Sequence, residues 1–390
     1  MFRFFIAFVF AVGLTAVSGA ARAEAPSLRI PGQVVGSRPA SLGGAFTAVA
    51  DDQNALFYNP AGLARLDSTF FSLSDFELSA SLGSGGIGDL VDDVNKVSDA
   101  AKSVASESDT SKQIDNITKL GELVSSRTAF AAFKDQLYLA RKHWGFAGTV
   151  NLATGLGIHS KLLPEVADLA LLGDLDARFG YAHSFLDDKL SVGLAPYYKM
   201  RAQGGRANLS LSEGLDPANS LSNIVGIGQG FGVDFGLMVT PIEAMSPTFG
   251  LAILNLGDTR FRSTGSSAFS NLGAFKGASV LGTPDPIKQI VNAGFSIAPV
   301  DGPGLVRLSA ELREINRPSA AALRPAFGIE GGFRSRFVRA LVDAGWGNGN
   351  WSAGFELRAL IKLRFASYIE PNLFFDRKDN QRVWVLSFGI

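Results

Sequence analysis

The sequence contains no cysteine, only three histidines and few charged residues. Without cysteine there is no disulfide framework, so an exported chain must gain its stability from its fold. His143, His159 and His183 do not stand at metal-ligand spacing, and neither a hydrolase nucleophile motif nor a phosphate-binding glycine loop occurs. We therefore expect no catalytic residue, no metal and no cofactor.

Neither sign of charge is in excess, and long apolar runs are missing beyond the N-terminus. Lys and Arg together number 36, the same as Asp and Glu, and this balance gives no support for nucleic-acid binding. After residue 23 no apolar stretch reaches the roughly 20 residues that a transmembrane helix needs. A chain of this kind can cross a membrane only with strands that close into a barrel.

The first 23 residues have the pattern of a secretory signal peptide. Arg3 supplies the basic start, residues 4–17 are apolar, and Ala21-Arg22-Ala23 is a small-x-small cleavage site. A membrane-spanning helix is the alternative, but the apolar run is short and small residues follow it. We expect cleavage after Ala23 and export from the cytoplasm.

Alternating apolar and polar residues recur through most of the remaining chain. In residues 351–361, for example, Trp351 and Phe355 fall on one face and Ser352 and Glu356 on the other. Strands of about 9–11 residues or more, apolar on one face, predict a transmembrane β-barrel, whereas a soluble β-sandwich would use shorter strands. Fourteen strands are predicted, near 69–83, 134–142, 144–159, 171–185, 189–205, 229–241, 247–258, 287–299, 303–314, 323–334, 337–347, 350–360, 362–375 and 380–390.

The predicted connections differ in length between the two ends of the barrel. Three long links, 84–133, 206–228 and 259–286, alternate with brief turns, so the long links should be extracellular and the turns periplasmic. Apolar residues recur at helical spacing within about 84–130, which predicts a helical hairpin. This insertion is either a lid over the barrel mouth or a packed structural addition. A second short helix is predicted near 216–225.

Residues 24–67 do not alternate, and we assign them to a plug segment ahead of a barrel at 68–390. This segment resembles the N-terminal plug of the FadL-like outer-membrane proteins, in a glycine-rich segment, an acidic turn and an Asn-Pro-Ala tripeptide. Glycine allows the plug backbone to approach the wall closely, and the acidic pair can bond to lumen arginines. We expect the plug to lack an apolar core of its own. The plug or gating candidates are Gly43, Gly44, Phe46, Asp51, Asp52, Asn59, Pro60, Ala61 and Gly62.

The resemblance implies an all-β barrel of about fourteen strands in the outer membrane and passive transport of a fatty acid or hydrocarbon. The family also contains a TraF-like conjugal-transfer branch, which the acidic insertion resembles. The rival function is therefore a scaffold in a secretion, conjugation or surface-assembly system, and a plug without a transport role is a further alternative. The expected partners are outer-membrane lipid, the barrel-assembly machinery and a hydrophobic ligand.

Charged residues on the polar strand faces predict a lumen network that holds the plug, although a solvated interior without a ligand role is the simpler reading for any one of them. Its members are Arg178, Arg307, Glu311, Arg313, Glu356, Arg358 and Arg364. The last strand is expected to carry a signal for the barrel-assembly machinery. That signal consists of the outward-facing residues Trp384, Leu386, Phe388 and Ile390.

Overall fold

The computed structural model is a closed antiparallel β-barrel with a segment of chain inside it. It describes residues 36–82, 128–158, 165–210, 225–263, 280–316, 324–335, 338–347, 349–359, 361–371 and 380–389, together with scattered positions between 96 and 119. The signal peptide, His159, Ile390, most of the 84–130 insertion and the helix expected near 216–225 lie outside the described residues.

Strands make up most of the described chain. They are β1 (Phe70–Ser72), β2 (Asp75–Leu82), β3 (Thr128–Arg141), β4 (Trp144–Ile158), β5 (Glu165–Phe185), β6 (Leu190–Ser210), β7 (Val225–Val239), β8 (Thr248–Leu254), β9 (Arg262–Ser263), β10 (Val280–Gly282), β11 (Ile290–Asp301), β12 (Gly304–Arg313), β13 (Arg324–Arg334), β14 (Arg339–Gly347), β15 (Asn350–Arg358), β16 (Lys362–Pro371) and β17 (Asn380–Gly389).

Fourteen of these strands form the wall, and each pairs antiparallel with the next. β8 pairs with β11, and the last strand, β17, pairs with β2 through Trp384 opposite Ala80 and Gly389 opposite Asp75. This pairing closes the ring, so the barrel has no free edge. The predicted fourteen-stranded barrel is confirmed. The short strands β9 and β10 pair with the start of β7.

The first predicted strand, 69–83, was wrong in one respect because it is interrupted. Phe70 lies opposite Ala140 in β3, whereas Glu77 lies opposite Lys134. The register therefore shifts by one residue between β1 and β2, as at a β-bulge. The second strand also begins at Thr128, earlier than the expected residue 134.

The outward face of the wall is apolar. Phe231, Trp351 and Val342 have exposed fractions of 75%, 71% and 63%. Apolar surface of this extent requires a lipid solvent, and a closed barrel satisfies its backbone hydrogen bonds internally. The protein is a transmembrane β-barrel of the outer-membrane type. Among the described residues, no helix has both the length and the apolar character to cross a membrane.

The turns at one end of the barrel are short. Residues 142–143 join β3 to β4, and residues 186–189 join β5 to β6. The longest connections, 83–127 and 255–289, leave the opposite end. Short turns are typical of the periplasmic side, so we place residues 142–143 there. On the opposite side, β14 ends at Gly347 and β15 begins at Asn350, so a short link occurs there as well.

Loss of the C-terminal residues is expected to reduce assembly. Leu386 and Phe388 point outward, with exposed fractions of 49% and 38%. Deleting residues 388–390 should lower the amount of protein in the outer membrane and raise its periplasmic degradation, as fractionation and immunoblotting would show. Phe355→Ala is the matched control, because Phe355 is equally lipid-exposed on an internal strand. Equal yields from the deletion and the control would contradict an assembly signal.

Candidate functional site

Residues 36–66 lie inside the barrel and form a plug of short helical turns. The turns are α1 (Ser37–Ser41), α2 (Ala55–Tyr58) and a 3-10 helix at Pro60–Arg65. Asn59 begins the 3-10 helix, and its side-chain oxygen accepts the Ala61 N–H at 3.2 Å. Its Nδ2 donates to the carbonyls of Thr47 and Leu237 at 2.8 and 3.2 Å. Asn59 therefore fixes one plug turn to another and to β7.

The plug rests on lumen-facing glycines of the wall, which we call the glycine cradle. At Gly236, an added Cβ would lie 2.0 Å from Asn59 Oδ1, and at Gly345 it would lie 2.2 Å from the carbonyl carbon of Leu42. No side chain fits at these positions while the plug is seated. Nine strands carry a lumen-facing glycine at which an added Cβ would lie 3.3 Å or less from a plug atom: Gly145, Gly180, Gly193, Gly236, Gly250, Gly294, Gly328, Gly345 and Gly354.

The expectation of a plug without an apolar core was wrong. Phe46, Leu56 and Leu63 are fully buried and form one cluster with wall side chains. The Phe46 ring also meets Tyr58 edge-on, with centroids 5.3 Å apart. The barrel wall supplies the other half of this core, and a reading of the plug sequence alone cannot include it. Burial of each large side chain contributes about 2 kcal/mol to plug docking.

A buried ionic cluster ties the two arms of the plug to each other and to the wall. Arg38, only 1% exposed, donates to Glu330 at 2.6 and 2.7 Å. It also donates to Asp51 at 2.6 Å and to Asp52 at 2.8 Å. Arg307 of β12 donates to Asp51 at 2.6 Å. We call these five residues the Arg38 cluster.

The electrostatic state of Asp51 follows from these neighbours. Burial alone would raise the pKa of Asp51, but Arg307 and Arg38 hold that pKa well below its usual range. Asp51 is therefore ionised in the docked plug, and its charge stabilises the docked state.

Other predicted lumen residues also reach the plug. Glu311 accepts the backbone N–H groups of Phe46 and Thr47 at 2.8 and 2.7 Å. Arg364 donates to Ser41 at 2.6 Å, and it pairs with Glu356 at 3.1 Å. The structure thus brings wall charges from several strands onto one short segment of the plug.

The remaining members are spread around the lumen. Arg178 donates to the carbonyl of Leu56 at 3.0 Å. The Arg358 guanidinium lies 5.3 Å from the centroid of the Phe70 ring. Arg313 lies beside Gly44, where an added Cβ would be 2.5 Å from its Nη1. The seven predicted residues therefore form several separate contacts and do not make one continuous network.

A second apolar cluster lines the extracellular half of the lumen. We call it the luminal apolar cluster, and its larger members Phe130, Leu172 and Tyr368 have exposed fractions of 3%, 3% and 6%. These side chains lie on the lumen faces of β3, β5 and β16, above the first helix of the plug. The full set is Ala40, Phe130, Ala132, Ala153, Leu172, Ala366, Tyr368, Val383 and Val385.

Three solved structures are similar to this chain at low identity. A FadL homologue from Pseudomonas aeruginosa is 10% identical, with 90% of this chain and 97% of that chain covered and a TM-score of 0.49. The toluene transporter TbuX of Ralstonia pickettii is 12% identical, with 91% and 97% covered and a TM-score of 0.48. The monoaromatic hydrocarbon channel CymD is 11% identical, with 93% and 98% covered and a TM-score of 0.47. No family model and no curated protein matches the chain.

The side chains of His143 and His183 lie at the rim, although the His143 backbone N–H donates to the carbonyl of Leu63 in the plug at 2.9 Å. His143 and His183 meet at the periplasmic rim with ring centroids 5.9 Å apart, and His143 Nδ1 lies 3.1 Å from the Ala182 carbonyl. Within the described part of the chain, no group of three His, Asp or Glu side chains could hold a metal ion.

Sequence reasoning missed the residues at the centre of the ionic contacts. Arg38 belongs to the plug motif but was not predicted as a site residue, and Glu330 was not predicted at all. One signal was present: Glu330 is the only acidic residue of β13. An acid on the lumen face of a strand needs a cation, and a plug arginine can supply it.

Proposed function

We propose that this barrel passes a hydrophobic small molecule, such as a fatty acid or hydrocarbon, across the outer membrane. The luminal apolar cluster is the observation that carries the proposal. A porin lumen is polar and filled with water, whereas Phe130, Leu172 and Val385 present apolar side chains to the interior of this barrel. An apolar lumen surface favours an apolar solute over a hydrated one.

The position of the luminal apolar cluster agrees with capture of a solute from the extracellular side. Phe130 lies near the extracellular start of β3, and Leu172 and Tyr368 lie in the extracellular halves of their strands. A solute that enters from the extracellular mouth would meet these side chains before it reaches the plug. The resemblance of the plug motif to FadL-like proteins implies the same class of ligand.

The plug favours a second candidate function, which is a scaffold that moves no solute. The Arg38 cluster and the glycine cradle hold the plug firmly, and the cavity next to α1 has a volume of only ≈ 10 Å³. A plug held in this way suits a barrel whose loops bind partners in a secretion or surface-assembly system. Transport requires the plug to shift or the solute to pass beside it.

Truncating a member of the cluster should weaken ligand binding. Leu172→Ala removes apolar contact from the lumen and is expected to weaken binding of a fluorescent fatty acid about tenfold, equivalent to about 1.4 kcal/mol. The matched control is Leu175→Ala, on the same strand but facing lipid, which should leave binding unchanged. Equal effects of the two variants would place the ligand outside the lumen.

Native mass spectrometry with lipid extraction separates the two functions. Protein purified from its own membrane is expected to retain fatty acids or hydrocarbons, and the Leu172→Ala protein should retain less. A stoichiometric protein partner without any lipid-like ligand would overturn transport in favour of the scaffold.

A further inference from the structure

A small polar cavity lies between α1 of the plug and wall strands β2, β3, β15 and β16. Its volume of ≈ 10 Å³ is close to the ~10–15 Å³ that one water molecule needs. Plug and wall share the lining. The plug contributes Gly36, Ser37, Arg38, Gln53 and Asn54, and the wall contributes Asp75, Glu77, Lys134, Gln136, Glu356, Lys362 and Arg364.

Four buried polar atoms at this cavity have no hydrogen-bond partner. Among the described residues, ten buried side-chain atoms are unsatisfied in this way, and four of the ten belong to residues that line this one cavity. They are Gln53 Oε1, Asp75 Oδ1, Gln136 Nε2 and Arg364 Nε. The exposed fractions of these residues are 5%, 5%, 3% and 1%. Buried polar groups are nearly always satisfied, so their convergence indicates a bound partner.

The charged groups of the cavity are already paired, which argues against an ion. Lys134 lies 3.1 Å from Glu77, and Lys362 pairs with Asp75. Arg364 pairs with Glu356 and Asp343. A cation would satisfy only the unsatisfied acceptors, and an anion only the unsatisfied donors.

The four unsatisfied atoms comprise two acceptors and two donors. Water donates two hydrogen bonds and accepts two, so it matches the whole set. We propose that one structural water is bound here and joins Gln53 of the plug to Gln136 of β3. Asp75 and Arg364 complete its coordination. This assignment holds whether or not a solute crosses the barrel.

The water has a consequence for the plug. The glycine cradle brings backbone or side-chain atoms of the plug against nine wall strands, but its members do not include a residue of β2, β3, β16 or β17. Where α1 faces these four strands, side chains hold it and, in our proposal, the water does so as well. Loss of the water should therefore loosen residues 36–44, whose first three residues line the cavity, before residues 59–66, which do not line it.

A double-mutant cycle read by amide hydrogen exchange tests the shared water. Gln53→Leu and Gln136→Leu should each raise the exchange rate of residues 36–44 about tenfold, because each leaves buried partners unsatisfied. The double variant should also show about a tenfold rise, since both changes remove the same water. Independent effects would multiply to roughly a hundredfold, and that result, or unchanged single variants, would overturn the proposal.

Thr149→Val is the matched control. Thr149 Oγ1 is also buried without a partner but does not line the cavity, so exchange in residues 36–44 should not change. A rise in this control would indicate general loosening and contradict the proposal. Heat-modifiable migration checks that each barrel is closed, and Gln136→Met replaces Gln136→Leu if that variant fails to fold. A crystal structure with the two glutamines in direct contact, or with an ion between them, would also overturn the assignment.

Discussion

Arg38→Met is expected to release the plug and open the lumen. In the wild-type protein the Arg38 guanidinium satisfies three carboxylates, those of Asp51, Asp52 and Glu330. Methionine fills a similar volume but leaves Asp51 and Glu330 with Arg307, and Asp52 loses its ion pair with Arg38. Removing one partner of a buried ion pair costs about 3–5 kcal/mol, because the other charges stay buried without compensation.

Release of the plug should appear as ion conductance through the barrel. We expect Arg38→Met to form steady ion-conducting channels in planar bilayers, and the wild-type barrel to remain nearly closed. Cells that carry the variant should become sensitive to large hydrophilic antibiotics that the outer membrane normally excludes. Heat-modifiable migration should be retained, because the wall pairs do not involve Arg38.

Arg334→Met provides the control for this experiment. Arg334 also pairs with an aspartate, Asp301, but the pair is partly exposed and does not contact the plug. An exposed pair contributes little, so this variant should conduct no more than the wild-type protein. If Arg38→Met is as closed as Arg334→Met, the Arg38 cluster does not hold the plug.

Gly236→Val is expected to prevent the plug from seating. Its Cβ would lie 2.0 Å from Asn59 Oδ1 and 2.7 Å from the Ala61 backbone nitrogen. Backbone cannot move away as a flexible side chain can, so the 3-10 helix must leave its place on β7. The barrel wall should still close, because valine is well suited to a strand.

The matched control is Gly148→Val, in which the new Cβ meets only Leu137 at 3.7 Å. Limited proteolysis from the periplasmic side should cut residues 59–66 in Gly236→Val but not in Gly148→Val or the wild type. Ion conductance should likewise rise in Gly236→Val but not in Gly148→Val or the wild type. Protection of residues 59–66 in Gly236→Val would show that the plug can adapt and that the cradle is not required.

The wall strands were predictable from sequence because the alternation of apolar and polar residues is a local pattern. A strand in lipid alternates every two residues, and stretches such as residues 351–358 show this pattern without reference to any other segment. The turn at residues 142–143 was predictable for the same reason, because the pattern ends and restarts within a few residues. The bulge between β1 and β2 was not predictable, since the register depends on β3.

The Arg38 cluster could not be predicted from sequence because its members are far apart in the chain. Arg38 and Glu330 are 292 residues apart, and no local pattern links them. Asp51 and Asp52 were found because they are adjacent within a plug motif. The water-sized cavity could not be predicted either, because it forms where the plug meets four wall strands.

Closure of the ring by β2 and β17 sets an order of events during biogenesis. The plug precedes the wall strands in the chain, but its wall contacts extend to Ser387 in the last strand. It cannot thread into a finished cylinder through the glycine cradle, so the wall must wrap around it. Until the final strand arrives, Phe46, Leu56 and Leu63 have no complete surface to pack against. These apolar side chains are therefore left without their full packing surface in a partly built barrel, which is the stage at which such a chain is prone to aggregate.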